Sequence, residues 1–148
     1  MGSEPTEIIP RLWLGDMDTA KDAKFFKKNN IKAVLNCTKD VPNYFASKGI
    51  EYMRIPVDDD LSKIEIKHMK NYIPHVISFI YKNRDIEEKN VFIHCYAGVQ
   101  RSAICVVAYL IKAEGFTKKK AIKYVVNKRS VAFFGGRSIN FKDALNDI

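Results

Sequence analysis

The sequence predicts an α/β fold, with one domain over residues 1–148 and a central, mostly parallel sheet of four or five strands flanked by helices. Short segments rich in β-branched residues alternate with amphipathic segments of helical period, which is typical of strand–helix units. The length of 148 residues suits one core, which at this size buries about two thirds of the unfolded surface. A tight loop also joins the apolar segment 91–94 to a helix that begins at Arg101.

The first half of the chain contains three predicted strands and two predicted helices. Asp16 or Asp18 is predicted to cap the first helix, because a short carboxylate accepts hydrogen bonds from free N–H groups. Gly49 is predicted to end the second helix. The predicted strands are 9–15, 31–37 and 50–55, and the predicted helices are 16–28 and 44–48.

The second half contains one predicted strand between long helices. Pro74 must kink the first of these helices or mark a junction between two, because it cannot donate the helical hydrogen bond. Gly115 is predicted to end the central helix and Thr117 to cap the next one. The predicted elements are helices at 61–83, 101–111 and 117–128, a charged loop at 84–90, a strand at 91–94, a loop at 129–138 and a last helix from about 139.

The composition is that of an ordinary globular protein, with 47% hydrophobic and 28% charged residues. The three cysteines form no closely spaced metal motif and cannot all pair, which indicates a reducing compartment, the cytoplasm or the nucleus. No long apolar run or charged leader is present, so neither a membrane span nor a secretory signal is predicted. The first residues match an N-myristoylation pattern at Gly2, and a remnant of an expression tag explains them equally well.

The formal net charge of +8 favours anionic partners. Nucleic acid is one such partner. However, the lysines are spread along the predicted helices without a basic stripe or interleaved aromatic residues, so solvated helix faces and a local anion site explain the charge better. Nucleic-acid binding is therefore not predicted.

The loop after the 91–94 strand is predicted to bind phosphate. Its N–H groups can curl around one point at the positive end of the following helix, and Gly98 suits so tight a turn. Such a nest binds a tetrahedral oxyanion, and the planar guanidinium of Arg101 adds two donors. The residues assigned to phosphate binding are Tyr96, Ala97, Gly98, Val99, Gln100 and Arg101.

Cys95 is predicted to lie at the bottom of this loop. The helix end and Arg101 both favour the ionised sulfur, and a thiolate that faces a bound phosphate is a nucleophile. Ser102 can donate a hydrogen bond to the sulfur when it leaves again. The alternative is a buried structural cysteine at the end of a strand.

The string His94-Cys95-X5-Arg101-Ser102 resembles the motif of the cysteine-dependent protein phosphatases, and the small dual-specificity branch in particular. The resemblance extends from about residue 9 to residue 145. It implies hydrolysis of phosphotyrosine and phosphoserine/threonine in phosphorylated protein substrates through a cysteinyl-phosphate, with no metal and no cofactor. In this interpretation His94 shapes the loop.

The acidic run at 58–60 supplies a candidate proton donor. Adjacent carboxylates repel one another, which favours the protonated form of one of them, and a carboxylic acid can protonate a leaving oxygen. Alignment with the Ile-Pro-X-X-Asp segment of the same family implies that Asp59 is the general acid, with Asp58 and Asp60 as alternatives. A solvated loop in which Asp60 or Ser62 caps the next helix is the other interpretation.

Two further residues receive roles only from the resemblance. An arginine that matches Arg129 can contact a second phosphate or an acidic side chain of the substrate, although the proline of the family pattern is missing and Arg137 is an alternative. Cys37 is a candidate redox partner of Cys95, and an inert core residue is the alternative. Cys105 is interpreted as a packing residue.

Two other functions are alternatives. RNA 5′-triphosphate hydrolysis is favoured only by the basic charge, and a phosphate-binding adaptor without catalysis is disfavoured by the intact Cys95 and Arg101. Lipid-directed members of the same superfamily tend to have lysines in this loop, whereas residues 96–100 are uncharged here, so the resemblance also argues against phosphoinositide substrates. The oligomeric state is not predicted.

Overall fold

The computed structural model describes residues 4–58, 62–136, 139, 141–146 and 148. Its strands are β1 (Thr6–Ile9), β2 (Leu12–Gly15), β3 (Ile31–Asn36), β4 (Glu51–Arg54) and β5 (Asn90–His94). They form one five-stranded sheet in the order β1-β2-β5-β3-β4. β1 is antiparallel to β2, and the other neighbouring pairs are parallel. The predicted mostly parallel sheet is confirmed.

Helices cover both faces of this sheet, as predicted. Successive side chains of a strand point to opposite faces, and in β5 Val91 and Ile93 join the larger core cluster while Phe92 joins a smaller one with Phe25 and Phe26. The larger cluster surrounds the central helix, whose residues 101–110 are all buried. The helices are α1 (Met17–Ala20), α2 (Ala23–Lys28), α3 (Lys63–Ile80), α4 (Arg101–Glu114) and α5 (Lys118–Lys128).

The start of the chain differs from its prediction. Residues 9–15 do not form one strand, because β1 and β2 make a hairpin whose turn contains Pro10 and Arg11. Arg11 has a φ of 67°, and its backbone N–H donates to the Glu7 carboxylate at 3.0 Å. Proline cannot donate to a strand ladder, so the apolar alternation through this segment was a misleading signal.

The predicted 16–28 helix is two short helices. Asp16 caps α1 by accepting from the Thr19 N–H, which confirms one of the two proposed caps. Asp22 then caps α2 through the N–H groups of Lys24 and Phe25. A second strong N-cap residue within the segment starts a new helix.

The long helix and the segment after it differ in part from the prediction. α3 continues through Pro74 as one element, so of the two predicted alternatives for this proline, a kink or a junction, the junction is excluded. The predicted charged loop at 84–90 begins as a π-helical segment, Tyr81–Ile86, in which Arg84 is buried. Arg84 donates to the Pro10 carbonyl at 2.7 Å and to the Tyr109 hydroxyl at 3.1 Å, which explains why this cation leaves the surface.

The end of the chain is less regular than predicted. Residues Phe133–Gly136 form one helical turn with positive φ angles, inside the segment predicted as a loop. The last helix predicted from about 139 is only a short 3₁₀ turn, Lys142–Leu145. The predicted end at Gly115 and the cap at Thr117 are confirmed.

Parallel pairing brings the carboxyl ends of four strands to one edge of the sheet. Gly15 and Asn36 are each aligned with His94, and Asn36 is also aligned with Arg54. Ligands of open α/β sheets bind beyond this edge, so the loops that follow these four residues are where a site is expected. In the described part of the chain, no helix combines the length and the apolar character needed to cross a membrane.

Candidate active site

The loop at 95–101 is held from outside by its own carbonyl groups. The Tyr96 carbonyl accepts from the N–H of Met17 at 2.9 Å, and the Val99 carbonyl accepts from the N–H of Phe133 at 2.9 Å. Between them, Arg129 donates to the Gly98 carbonyl through Nε at 3.0 Å and to the Ala97 carbonyl through Nη2 at 3.5 Å. Four successive carbonyls are therefore directed away from the loop interior.

This arrangement fixes the direction of the N–H groups. The described chain contains no cis peptide bond, and in a trans peptide the C=O and the following N–H point in opposite directions. The N–H groups of residues 97–100 are therefore turned toward the opposite side. Successive N–H groups that share a direction form an anion-binding nest.

Gly98 is required by the shape of this loop. Its φ is 69°, a left-handed value that side chains rarely adopt. A Cβ at this position would lie 2.6 Å from the Gly15 carbonyl oxygen and 2.7 Å from Arg129 Nη2. The position therefore accepts no side chain without movement of β2 or Arg129.

Cys95 lies between the end of β5 and the start of α4, as predicted. It is 3% exposed, and its Sγ is 3.0 Å from the Ser102 Oγ in the first turn of α4. The free N–H groups at a helix start carry a partial positive charge, which stabilises a nearby anion. A sulfur placed here can attack an electrophile bound in the nest and can accept a hydrogen bond from Ser102.

Arg101 is the buried cation of the site. Its side chain is 2% exposed, its Nη1 donates to the Val57 carbonyl at 2.7 Å, and the Tyr96 ring lies 4.9 Å from its guanidinium. Among the described residues, the Arg101 Nε has no hydrogen-bond partner. A buried charged donor without a partner is costly, so an anion that accepts from it would stabilise the loop.

His94 is a neutral ring that supports the loop from below. Burial lowers its pKa to about 4, and its ring stacks on Phe92 with centroids 5.6 Å apart. Its Nδ1 lies 3.1 Å from the Cys95 carbonyl, which can only accept, so Nδ1 carries the proton. The contact agrees with the loop-shaping role that the sequence predicted.

Arg129 does not have the surroundings expected of a residue that contacts substrate. It is 3% exposed. Besides the two loop carbonyls, its Nη1 donates to the Glu4 carbonyl at 2.7 Å and to the Thr6 hydroxyl at 3.1 Å. The guanidinium therefore joins the amino-terminal segment to the 95–101 loop, a supporting position that the sequence did not indicate.

Cys37 lies under the site, at the end of β3. Its Sγ contacts the Cys105 Sγ at 3.8 Å, and both residues are fully buried. Burial raises the pKa of Cys37 well above its ordinary value, and the contact with Cys105 adds to the effect. A protonated, inaccessible thiol is a poor redox partner, so the structure favours the interpretation of Cys37 as a core residue.

The acidic segment is described only at its edges. Asp59 and Asp60 lie outside the described residues, as does Arg137, so their predicted roles stay predictions. Asp58 accepts from the Lys39 ammonium at 2.8 Å. Ser62 caps α3 through the N–H of Glu65, which confirms one of its two candidate caps.

Lys39 and Asp40 are site residues that the sequence did not single out. Asp40 accepts a hydrogen bond from the Tyr96 hydroxyl, and Lys39 reaches Asp58. Their position in the loop that follows a strand of the parallel sheet was the available signal, but it depends on knowing that β3 lies beside β5. Within the described ranges, no three His, Cys, Asp or Glu side chains are grouped as metal ligands.

Comparisons with known proteins place the chain in one family. Residues 12–147 match the family model described as dual specificity phosphatase, catalytic domain. The chain is 38% identical over 127 residues to the dual specificity protein phosphatase Mpk3 of Drosophila melanogaster, and 33% identical over 129 residues to human dual specificity protein phosphatase 6. These alignments cover 84% and 86% of the chain but only 30% and 32% of the relatives, so the chain spans about a third of their length.

Solved structures show the same fold. The crystal structure of DUSP15 superposes with a TM-score of 0.82 at 25% identity, over 97% of this chain and 85% of that chain. The crystal structure of human DUSP28 superposes with a TM-score of 0.78 at 21% identity, over 98% of this chain and 92% of that chain. The family model covers nearly the whole sequence, including the 95–101 loop. The chain therefore belongs to the dual specificity phosphatase catalytic-domain family.

Proposed function

We propose that this chain hydrolyses phosphate monoesters in proteins, accepting phosphotyrosine and phosphoserine/threonine, through a cysteinyl-phosphate. The proposal rests mainly on the hydrogen bonds that hold the carbonyl groups of residues 96–99 outward. Because of these bonds, the following N–H groups form a nest at the start of α4. The Arg101 Nε adds a donor that lacks a partner in the described chain. The ligand that fits these donors is a tetrahedral dianion.

In the first step, Cys95 attacks the phosphorus of the bound group. A sulfur–phosphorus bond forms while the bond to the leaving oxygen breaks, and Asp59 is proposed to donate a proton to that oxygen. The N–H groups and Arg101 hold the charge on the remaining phosphoryl oxygens. Donors of this kind stabilise the transition state without having to reorganise.

In the second step, water attacks the cysteinyl-phosphate. Asp59 takes a proton from the water, phosphate forms, and the sulfur leaves as a thiolate. Ser102, 3.0 Å from that sulfur, donates a hydrogen bond that stabilises the thiolate. The sequence of steps requires no metal and no cofactor.

The names of the relatives support the protein substrates. Mpk3 and human phosphatase 6 are both named dual specificity protein phosphatases. Their names also make RNA 5′-triphosphatase and adaptor functions less favoured. The domain is proposed to act as one catalytic unit over residues 1–148, in the cytoplasm or nucleus, where its three unpaired cysteines would stay reduced. Gly2, the candidate lipidation site, lies outside the described residues.

Hydrolysis of p-nitrophenyl phosphate in the presence of a metal chelator tests the reaction. The wild-type chain is expected to be active and sensitive to vanadate, and Cys95→Ser is expected to be inactive while it keeps its fold. Phosphotyrosine and phosphothreonine peptides, compared with triphosphorylated RNA, test the substrate class. Activity in Cys95→Ser equal to the wild type would overturn the nucleophile, and faster turnover of the RNA than of both peptides would overturn the class.

A further inference from the structure

Two consecutive residues after β3 reach two different parts of the site. Lys39 donates to the Asp58 carboxylate at 2.8 Å, directly before the segment that carries the proposed general acid Asp59. Asp40 accepts from the hydroxyl of Tyr96, the residue that follows Cys95. Residues 39 and 40 therefore contact the acidic segment and the 95–101 loop at once.

Lys39 is held in place by a buried carboxylate. Its Nζ is 3.3 Å from Glu65 Oε1, and the Glu65 side chain is only 7% exposed. The other Glu65 oxygen is 3.3 Å from His68 Nδ1. A buried carboxylate needs charged or hydrogen-bonding partners, so the ammonium of Lys39 is drawn to this position. The hydrogen bond to Asp58, followed by that to Glu65, raises the pKa of Lys39.

Glu65 and Lys39 fix the chain on both sides of residues 59–61. On the near side, the Asp58 carboxylate is bound to Lys39. On the far side, the Ser62 hydroxyl accepts from the backbone N–H of Glu65 at 3.3 Å. The two flanks of the acidic segment are thus attached to neighbouring groups on α3 and the loop after β3.

Asp40 contacts the 95–101 loop rather than the acidic segment. Its carboxylate binds the hydroxyl of Tyr96, whose ring lies 4.9 Å from the Arg101 guanidinium. Arg101 in turn donates to the carbonyl of Val57, the residue before Asp58. The contacts therefore close into a ring, which we call the contact ring: Lys39, Asp40, Val57, Asp58, Tyr96 and Arg101.

The segment that carries Lys39 and Asp40 is itself rigidly attached to the sheet. Asn36 at the end of β3 donates to the Val41 carbonyl at 2.8 Å and accepts from the Thr38 hydroxyl at 2.7 Å. Arg54 at the end of β4 donates to the Thr38 carbonyl at 3.0 Å and the Val41 carbonyl at 2.8 Å. Residues 38 and 41, on either side of the pair, are thereby fixed to two strands.

We propose that Lys39 and Asp40 are positioning residues that hold the acidic segment and the 95–101 loop in one relative arrangement. The inference rests on the proposed phosphatase function. Lys39 fixes Asp58, the residue directly before the proposed proton donor, and Asp40 keeps the Tyr96 ring over Arg101, the cation proposed to bind phosphate. The two residues therefore affect different properties of the reaction, proton donation and phosphate affinity.

Lys39→Met tests the proposed role of Lys39 in proton donation, with two substrates that differ in their leaving group. Phenyl phosphate needs a proton donor, because phenoxide is a poor leaving group, whereas p-nitrophenolate leaves more readily without one. With phenyl phosphate, kcat/KM, which reports only the steps up to departure of the leaving group, is expected to fall about tenfold, a fraction of the contribution that a proton donor makes. With p-nitrophenyl phosphate, the loss in kcat/KM is expected to stay below about twofold. Lys39→Arg keeps the cation and is expected to recover most of the lost rate.

Lys82→Met is the matched control. Lys82 is 53% exposed against 46% for Lys39, and it also bridges two carboxylates, Glu51 at 3.1 Å and Glu87 at 3.8 Å. The Lys82→Met variant should leave the ratio of the rates with phenyl phosphate and p-nitrophenyl phosphate unchanged. An unchanged ratio in Lys39→Met would overturn the role of Lys39, whereas absence of hydrolysis in the wild-type chain would overturn the proposed function itself.

The proposed role of Asp40 in phosphate affinity is tested with Asp40→Ala and Asp40→Asn, two variants that have the same net charge. Both remove the carboxylate charge, but only asparagine keeps an oxygen that can accept from Tyr96. Inorganic phosphate is expected to inhibit Asp40→Ala about fivefold more weakly than Asp40→Asn, the effect of one hydrogen bond. Equal inhibition constants for the two variants would overturn the role of Asp40.

Discussion

The sulfur of Cys95 lies 3.0 Å from the hydroxyl oxygen of Ser102, which belongs to the first turn of the buried helix α4. Both residues are almost inaccessible, at 3% and 0% exposure. Since the helix fixes Ser102 and the end of β5 fixes Cys95, the contact is built into the fold. It gives the thiolate a hydrogen-bond donor when it acts as the leaving group.

Ser102→Ala is expected to slow the second step of the reaction more than the first. Loss of the donor raises the barrier to thiolate departure, and kcat should fall about tenfold or more, as for the loss of a hydrogen bond to a charged group. A burst of p-nitrophenol should then appear in stopped-flow traces. Equal losses in kcat and kcat/KM without a burst would contradict the assignment.

Gly98→Ala is expected to impair both stability and activity. The left-handed φ alone costs a residue with a side chain about 1–2 kcal/mol, and the new Cβ would also collide with the Gly15 carbonyl. Gly49→Ala is the matched control, because Gly49 has a φ of 77° and no atom within 4 Å of its Cβ position. Thermal unfolding should show a larger loss of stability in Gly98→Ala than in Gly49→Ala. Hydrolysis of p-nitrophenyl phosphate should be impaired in Gly98→Ala only. Equal effects would contradict the required shape of the loop.

Protonation of His94 is expected to destabilise the protein in mild acid. The pKa of His94 is lowered to about 4 by burial, whereas the pKa of a histidine in an unfolded chain is about 6.5. Between these values the unfolded chain binds one more proton, so stability is fully present above about 6.5 and falls as the pH drops toward about 4. The free energy of unfolding falls by about 3 kcal/mol at most.

Urea unfolding between pH 7 and pH 4 measures this dependence. His94→Asn, which has no ionisable ring, should show a flatter dependence than the wild type. His75→Asn replaces an exposed histidine and should keep the wild-type slope. A wild-type slope in His94→Asn would show that another group causes the acid sensitivity.

Arg129→Met is expected to weaken phosphate binding without changing the choice of peptide. The substitution removes the donors for the Gly98 and Ala97 carbonyls, so the nest should lose its shape. The inhibition constant of vanadate should rise about tenfold, as for hydrogen bonds to a charged group. Lys128→Met, which removes an exposed neighbouring cation, is the control. A changed preference between singly and doubly phosphorylated peptides at unchanged vanadate affinity would instead support substrate contact by Arg129.

The local parts of the site could be predicted from the sequence. The strand before Cys95, the helix from Arg101 and the glycine at 98 are adjacent in the chain, so their relation is set by local geometry. The caps at Asp16, Ser62 and Thr117 were likewise predictable, because a cap acts within three residues.

The other parts depend on contacts between distant segments. Arg129 supports a loop 31 residues away, and no spacing rule shows that its guanidinium turns inward. Lys39 and Asp40 look like ordinary loop charges until the strand order places them beside the site. The hairpin at Pro10 was hidden by an apolar pattern that continues across its turn.

Trapping of the covalent intermediate is the most direct test of the account. Rapid denaturing quench during hydrolysis of p-nitrophenyl phosphate, followed by peptide mass spectrometry, should locate one phosphoryl group on Cys95, with a larger amount in Ser102→Ala. A phosphoryl group on any other residue, or steady hydrolysis by Ser102→Ala without phosphorylated Cys95, would contradict the cysteinyl-phosphate mechanism.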